Sequence, residues 1–135
     1  MGRILAIDYG GKRSGIAVTD SLQIAAHGLA AVATTELIDF LIVYLSEEKV
    51  DKIIVGLPHH PDGNPSSNAG EIERFAKNLR KKVKVEVELF DESYTSRDAR
   101  GIILGSGAGK KKRRDKSLVD KVAAILILQR YLNHI

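Results

Sequence analysis

The 135-residue sequence contains no cysteine. This excludes disulfide bonds and thiolate metal sites, and it fits a protein of the reducing cytoplasm. The amino-terminal residues Met-Gly-Arg-Ile lack the apolar core of a signal peptide. The longest apolar run, Val122–Leu128, is too short to cross a bilayer. We therefore expect a cytoplasmic protein without a membrane segment.

Neither sign of charge dominates strongly. There are 21 Lys and Arg residues against 17 Asp and Glu residues, which gives a formal net charge of +4. Hydrophobic residues make up 44% of the chain, so it is globular rather than disordered. The length suits one domain, which we expect to span residues 1–135. The positive excess is compatible with a polyanionic partner and equally with a mildly basic protein of another kind.

The segment that organises the chain lies near its amino terminus. The apolar run Ile4–Ile7 predicts a strand that is buried on both faces, and it ends on the carboxylate of Asp8. A glycine-rich turn at Gly10–Gly11 follows, and then the cations Lys12 and Arg13. A carboxylate beside two cations suits a metal ion that faces a phosphate group.

The rest of the pattern predicts an α/β protein. Further strands are predicted at Ser14–Thr19, Gln23–Ala33, Lys52–Leu57 and around Val85–Leu89, and helices are predicted after Thr35, after Asn68, at about Thr95–Leu104 and from Ser117 onward. Thr35 and Ser117 are the expected N-caps, and Asn68 with Glu71 has the spacing of a capping box. The order predicts an antiparallel opening of three strands followed by parallel crossovers. The alternation near Val85 predicts an edge strand with one wet face.

Three carboxylates from distant parts of the sequence are candidates for one site. Asp8 and Glu92 both follow predicted strands, and the carboxyl ends of parallel strands meet at one edge of a sheet. Asp120 shares a helix face with Ala124 and Ile127, so we expect it on the core side. Each has an ordinary alternative. Asp8 is compatible with a turn, Glu92 with a solvated loop, and Asp120 with the first turn of a helix.

Other motifs carry less chemistry. The segment Gly105–Lys112 resembles a phosphate-binding loop but lacks its first glycine and its Ser or Thr after the lysine, so we reject that interpretation. Adjacent His59 and His60 diverge on an extended chain, which favours a solvated loop over a metal site. A basic run is equally compatible with a solvated surface and with phosphate contacts; it comprises Lys110, Lys111, Lys112, Arg113 and Arg114.

Several of these motifs, in this order, resemble the YqgF/RuvX family of Holliday junction resolvase-like nucleases, which is also assigned to maturation of the pre-16S rRNA end. The matching segments are Asp8–Asp20, Ile54–Pro58 with Asp62–Gly63, Asp91–Glu92 and Lys116–Ala124. The resemblance covers almost the whole chain. Ser93 departs from it, because the family usually has Arg at this place, and so does the His59-His60-Pro61 segment.

The resemblance implies an RNase H-like fold with a five-stranded mixed sheet of order 3-2-1-4-5, flanked by helices. It also implies that Asp8, Glu92 and Asp120 form a catalytic triad that holds Mg²⁺ or Mn²⁺, both of which prefer oxygen ligands. With two ions about 4 Å apart, Asp8 is expected to bridge them. Lys12 and Arg13 are expected to steer the nucleic-acid backbone, with Lys110–Arg114 closing over it.

The expected function is therefore a metal-dependent nuclease that processes the 5′ end of pre-16S rRNA, acting on RNA in preference to DNA. A Holliday junction resolvase and a nucleic-acid-binding module with little catalysis stay as alternatives. A phosphate-binding relative of sugar kinases is less suitable, because its second glycine-rich motif is missing from this sequence. We expect a monomer or a weak homodimer.

Overall fold

The computed structural model describes residues 2–57, 69–91 and 116–133. The strands in this part are β1 (Arg3–Asp8), β2 (Arg13–Thr19), β3 (Ala26–Ala33), β4 (Val50–Leu57) and β5 (Glu86–Asp91), and the helices are α1 (Leu37–Glu47), α2 (Ala69–Lys82) and α3 (Lys116–Asn133). A short 3-10 turn, Thr34–Glu36, precedes α1. No helix in the described ranges is long and apolar enough to span a membrane.

The five strands form one mixed sheet of order β3-β2-β1-β4-β5. The strand β2 is antiparallel to both β1 and β3, whereas β4 is parallel to both β1 and β5. The predicted order is confirmed. The central strands β1 and β4 read as continuous apolar runs because helices cover both of their faces. The edge strand β5 alternates, with Val87 buried and Glu86 exposed.

The sheet separates two apolar cores. Leu5 and Ile7 of β1 face α1 and α2, and they pack in one cluster with Leu41. Ile4 and Ala6, the alternate residues of the same strand, face α3 and pack in the second cluster with Ile127. Each fully buried Leu or Ile side chain contributes about 1.5–3 kcal/mol relative to exposure. The two cores hold the helices against opposite faces of one sheet.

The connection between β2 and β3 corrects one predicted boundary. The strand was predicted over Gln23–Ala33, but β3 begins at Ala26. The Asp20 carboxylate accepts hydrogen bonds from the backbone N–H groups of Ile24 (2.7 Å) and Ala25 (3.4 Å), so this segment forms a turn. Gln23 has a φ of 59°, and its side-chain amide donates to the Gly2 carbonyl at 2.7 Å. These contacts offset the cost of its left-handed backbone.

Two predicted helix caps are wrong. Thr35 lies inside the 3-10 turn, and α1 begins after Glu36 without a side-chain cap. Ser117 lies within α3, which already includes Lys116. In both cases helical or 3-10 backbone is already present at the residue that the sequence signal assigns to the cap.

Several predicted features lie outside the described residues. They are the turn-rich loop after Leu57, the capping role of Asn68, the helix at about Thr95–Leu104, and residues 105–115 of the basic loop.

Candidate active site

Asp8 lies at the carboxyl end of the central strand, where the sheet meets solvent. Its backbone pairs with Gly15 of β2, and the residue is partly exposed while Ile4–Ile7 behind it are buried. Asp8 continues the alternation of Ile4 and Ala6, the residues that face α3. The structure therefore has a carboxylate-bearing residue at the rim of the core, as the sequence predicts.

The ends of two more parallel strands lie beside Asp8. Ile7 pairs with Val55, so the next residue of β4, Gly56, follows at the level of Asp8. Gly56 in turn pairs with Phe90 of β5. Neighbouring strands are about 4.8 Å apart, which puts the ends of β1 and β5 about 10 Å apart at one edge. We call this rim, at the ends of β1, β4 and β5, the carboxyl edge.

The other two predicted acids are less completely placed. Glu92 lies outside the described residues, although the chain reaches it from Asp91, whose backbone pairs with Leu57 at the carboxyl edge. Asp120 has a helical backbone in α3, four residues before buried Ala124, but its side chain lies outside the described part. The convergence of the three acids stays a prediction.

Among residues 2–57, 69–91 and 116–133, no three His, Cys, Asp or Glu side chains are close enough to share an ion. Two of the three predicted ligands, Glu92 and the side chain of Asp120, are not among the groups described there. This observation therefore concerns other clusters and leaves the predicted one as a prediction.

The glycine-rich turn after Asp8 is held by two hydroxyl groups. The Thr34 hydroxyl donates to the Gly10 carbonyl at 2.6 Å and lies 2.9 Å from the Ser14 hydroxyl, and Ser14 accepts from the Gly10 N–H at 3.2 Å. The Thr34 N–H also donates to the Lys12 carbonyl at 2.9 Å. A side chain at Gly10 would collide with the Arg13 carbonyl. The turn is thus tied to the end of β3, and sequence patterns alone did not indicate the roles of Ser14 and Thr34.

The turn presents the two predicted nucleic-acid contacts. Lys12 and Arg13 are exposed on it, directly beyond Asp8, and Arg13 opens β2. Their charges lie at the carboxyl edge, where a phosphate backbone that approaches Asp8 would pass. The other predicted contacts, Lys110–Arg114, lie outside the described residues.

A close contact seats α3 on the sheet beside Asp8. A Cβ atom at Gly56 would lie 2.5 Å from Cδ1 and 3.1 Å from Cγ1 of Ile127. Glycine accommodates this helix face without displacing Ile127, and Ala123 and Ala124 on the same helix are also fully buried. Gly56 matches a family motif, but its packing role has no local signal in the sequence, because its cause lies in a distant helix.

Two groups with shifted pKa values lie at the opposite edge of the sheet. Hydrogen bonds from backbone N–H groups, chiefly that of Ile24, lower the pKa of Asp20. A hydrogen bond with Tyr131 (2.9 Å) and a second with Glu88 (3.2 Å) raise the pKa of Lys52. Both stabilise the fold, since Asp20 closes the β2–β3 turn and Lys52 links β4 to α3 and β5.

Comparison with known proteins places this arrangement in a family. The model of the family described as "RuvX: Holliday junction resolvase" matches residues 2–134. A Bacteroides fragilis protein named "Putative pre-16S rRNA nuclease" is 47% identical over 133 residues, covering 98% of this chain and 96% of its own length. A Porphyromonas gingivalis protein of the same name is 48% identical over 135 residues, covering 99% and 98%.

Solved structures show the same fold. The RuvC structure from T. thermophilus in complex with a Holliday junction substrate aligns over 99% of this chain and 96% of its own, with a TM-score of 0.59 and 17% identity. A second Thermus thermophilus RuvC structure aligns with a TM-score of 0.54 over 98% and 96% of the two chains, at 15% identity. The fold is thus the RNase H-like fold that the sequence resemblance implies. Because the family model matches residues 2–134, the chain belongs to the RuvX family.

Proposed function

We propose that this protein is a metal-dependent nuclease that hydrolyses phosphodiester bonds in RNA, with the 5′ end of pre-16S rRNA as its substrate. The observation that carries the proposal is the position of Asp8, partly exposed at the end of the central strand and bordered by the ends of β4 and β5. The relatives named as pre-16S rRNA nucleases match along nearly their whole length, which supports the choice of substrate.

The donor set fits a hard divalent cation. Asp8 contributes carboxylate oxygens, and the proposed partners Glu92 and Asp120 would contribute the same kind of ligand, which Mg²⁺ and Mn²⁺ prefer. When bound, such a cation supplies the positive charge that lowers the pKa of an attacking water and offsets charge on the leaving oxygen. Three carboxylates brought together there would repel one another, so the proposed cluster would need this charge to be stable.

The other residues bind and orient the substrate. Lys12 and Arg13 would attract and position phosphates that flank the one to be cut. The hydrogen bonds of Thr34 and Ser14 would hold the turn so that these cations keep a fixed position relative to Asp8. A fixed position matters because small displacements of the reacting groups cost large factors in rate. We also propose that residues 1–135 form one domain, since all the described helices flank one sheet.

The proposal is tested with purified protein and three substrates: single-stranded RNA, a pre-16S rRNA 5′ region and a four-way DNA junction. We expect cleavage of the pre-rRNA with Mg²⁺ or Mn²⁺ and none with EDTA. Asp8→Asn should abolish cleavage and keep the fold, whereas Asp39→Asn, an exposed acid on α1, should cleave normally. Normal turnover by Asp8→Asn would refute the site, and failure to cut any substrate would favour a binding module.

A second candidate function is resolution of four-way DNA junctions. It is favoured by the description of the matching family model as a Holliday junction resolvase. A resolvase acts on a two-fold symmetric junction and therefore needs two active sites, which implies a dimer. Symmetric cleavage of the junction by a dimer, without cleavage of pre-rRNA, would select this function over the first.

A further inference from the structure

A groove lies at the carboxyl edge, on the face of the sheet opposite α3. Tyr9 directly follows Asp8, but it packs against Phe75 of α2, with ring centroids 4.8 Å apart and a tilt of 35°. Asp8 and Tyr9 thus lie at the same edge of the sheet but on opposite faces. The groove opens beside Tyr9, between α2 and the junction of β3 with α1, and has a volume of about 430 Å³.

The groove combines an apolar floor with a polar rim. Tyr9, Phe75 and Ile38 form the floor. Glu71, Arg74 and Asn78, which recur at intervals of three and four residues on one face of α2, form one side of the rim, and Thr35 forms part of the other. The volume falls in the range of small-ligand sites, about 300–1,000 Å³, which usually pair an apolar surface with a few polar groups. Such a site suits a planar ring with polar edges, with Arg74 to contact a nearby anionic group and the Glu71 carboxylate on the same side to accept hydrogen bonds from the ring.

From this chemistry and position we infer that the groove binds one unpaired nucleotide of the RNA next to the phosphate that is cut. The base lies against Tyr9 and Ile38, the Asn78 amide and the Thr35 hydroxyl contact its polar edge, and the Arg74 guanidinium contacts its phosphate. Proteins recognise RNA mostly through such splayed, unstacked bases, which stack on aromatic side chains. The inference rests on the proposed function, because it takes nucleic acid at Asp8 as given.

Hydrogen bonds of Thr34 connect the groove to the carboxyl edge. Thr34 lines the groove and also donates its hydroxyl hydrogen to the Gly10 carbonyl, in the turn that presents Lys12. The Thr34 N–H donates to the Lys12 carbonyl as well. A nucleotide in the groove therefore contacts the same unit that positions the cations near Asp8. The site would favour cuts beside single-stranded nucleotides over cuts inside a continuous duplex, whose bases are stacked and unavailable.

Binding is the first test, and it does not depend on cleavage. Backbone amide NMR of full-length Asp8→Asn protein, titrated with a short single-stranded RNA, should show shifts at Thr35 and Asn78. The double variant Arg74→Gln, Asn78→Ala in this background should bind the RNA about tenfold more weakly. Lys77→Gln removes one charge from the same helix outside the groove lining and should change affinity less than about threefold.

The outcomes separate this inference from the proposed function. The inference is overturned if RNA binds while the amide signals of the groove residues do not shift. It is also overturned if the double variant binds RNA as tightly as the Lys77→Gln control. The same RNA annealed to its complement should leave the groove amides unmoved, and equal shifts with the duplex also overturn it. Groove shifts together with a wild-type protein that cleaves no substrate would uphold the groove and refute the nuclease.

Discussion

Gly56 of β4 and Ile127 of α3 are in such close contact that a larger residue at position 56 would have to displace the Ile127 side chain. A Cβ atom at position 56 would lie 2.5 Å from the Ile127 Cδ1 atom. Ile127 is almost completely buried, so its side chain has little room to move aside. Because Gly56 stands beside Asp8 at the carboxyl edge, this contact limits how closely α3, which carries Asp120, approaches the sheet at that place.

The first prediction concerns this contact. Gly56→Ala should lower the free energy of unfolding by about 1–3 kcal/mol, because the added methyl group overpacks a filled interface. Gly11→Ala is the matched control, since a Cβ atom there would meet nothing within 4 Å. Urea unfolding measures both.

A second substitution tests the cause. Ile127→Val removes the Cδ1 atom and should by itself cost about 0.5–1.5 kcal/mol. Combined with Gly56→Ala, it should cost less than the sum of the two single changes, because the colliding atom is gone. Strict additivity would mean that the two residues do not press on each other.

The Thr34 hydroxyl is the subject of the second prediction. Thr34→Val keeps the shape of the side chain but removes a donor to Gly10 and a partner of buried Ser14. We expect a loss of about 1–3 kcal/mol in stability, because the Gly10 carbonyl loses its donor and the Ser14 hydroxyl loses one of its two partners. RNA cleavage should fall further than stability explains, since the turn that carries Lys12 is released.

Thr34→Ser provides the control for that prediction, because it retains the hydroxyl and removes only a methyl group. It should recover most of the stability and of the cleavage rate measured at a temperature where every variant is folded. If valine and serine behaved alike, the methyl group rather than the hydrogen bonds would be responsible.

The strands of the sheet were largely predictable from sequence, whereas the residues at which β3 and α1 begin were not. The run Ile4–Ile7 and the strand before Gly56 are apolar because both faces are covered, and local patterns record such burial directly. The start of β3 was missed because Asp20 takes the N–H groups of Ile24 and Ala25 into a turn. The Thr35 cap was wrong because the chain enters a 3-10 turn first.

The residues of the candidate site also differ in whether a local sequence pattern reveals them. The position of Asp8 at the rim was predictable because a carboxylate that ends a buried strand is a local signal, whereas its catalytic role stays a prediction. The role of Gly56 was not, because the atom that excludes a side chain there belongs to Ile127, far along the chain. Likewise nothing near Thr34 indicates that its partner is Gly10. Requirements that arise from contacts between distant segments leave no periodic trace in a single sequence.

The third prediction concerns pH. Backbone hydrogen bonds, that of Ile24 first, lower the pKa of Asp20 in the folded protein. The folded state therefore binds this proton less readily than the unfolded chain, and the charged Asp20 stabilises the fold above its ordinary pKa of 3.8. This contribution is lost as the pH falls below that value and through the lowered pKa.

Asp20→Asn isolates that contribution, because the amide oxygen can still accept a hydrogen bond but does not titrate. Urea unfolding of both proteins at neutral pH and at about pH 3 should show a smaller loss of stability on acidification in the variant. Identical losses in the two proteins would show that other acids account for the whole pH dependence.

The fourth prediction concerns the anchor of α3. Tyr131→Phe removes the oxygen that accepts a hydrogen bond from Lys52 at 2.9 Å and retains the ring that contacts Phe90 edge-on. We expect a loss of about 1–2 kcal/mol in stability, in the range for hydrogen bonds from charged donors. In a double-mutant cycle with Lys52→Met, the loss on Tyr131→Phe should nearly disappear. A loss that persists without the ammonium would assign the effect to another partner of the hydroxyl.

The last prediction asks whether Lys12 contacts phosphate. Each phosphate that a cation neutralises contributes about 0.7 to the slope of log affinity against log salt for a single strand. Lys12→Gln should therefore reduce the slope for single-stranded RNA by about that amount and weaken binding at low salt.

Lys49→Gln is the control of equal charge, since Lys49 is exposed just before β4 enters the sheet at the opposite edge. Fluorescence anisotropy over a salt series measures both. If the two variants changed the slope equally, net charge alone would explain the binding, and the turn after Asp8 would have no special part in it.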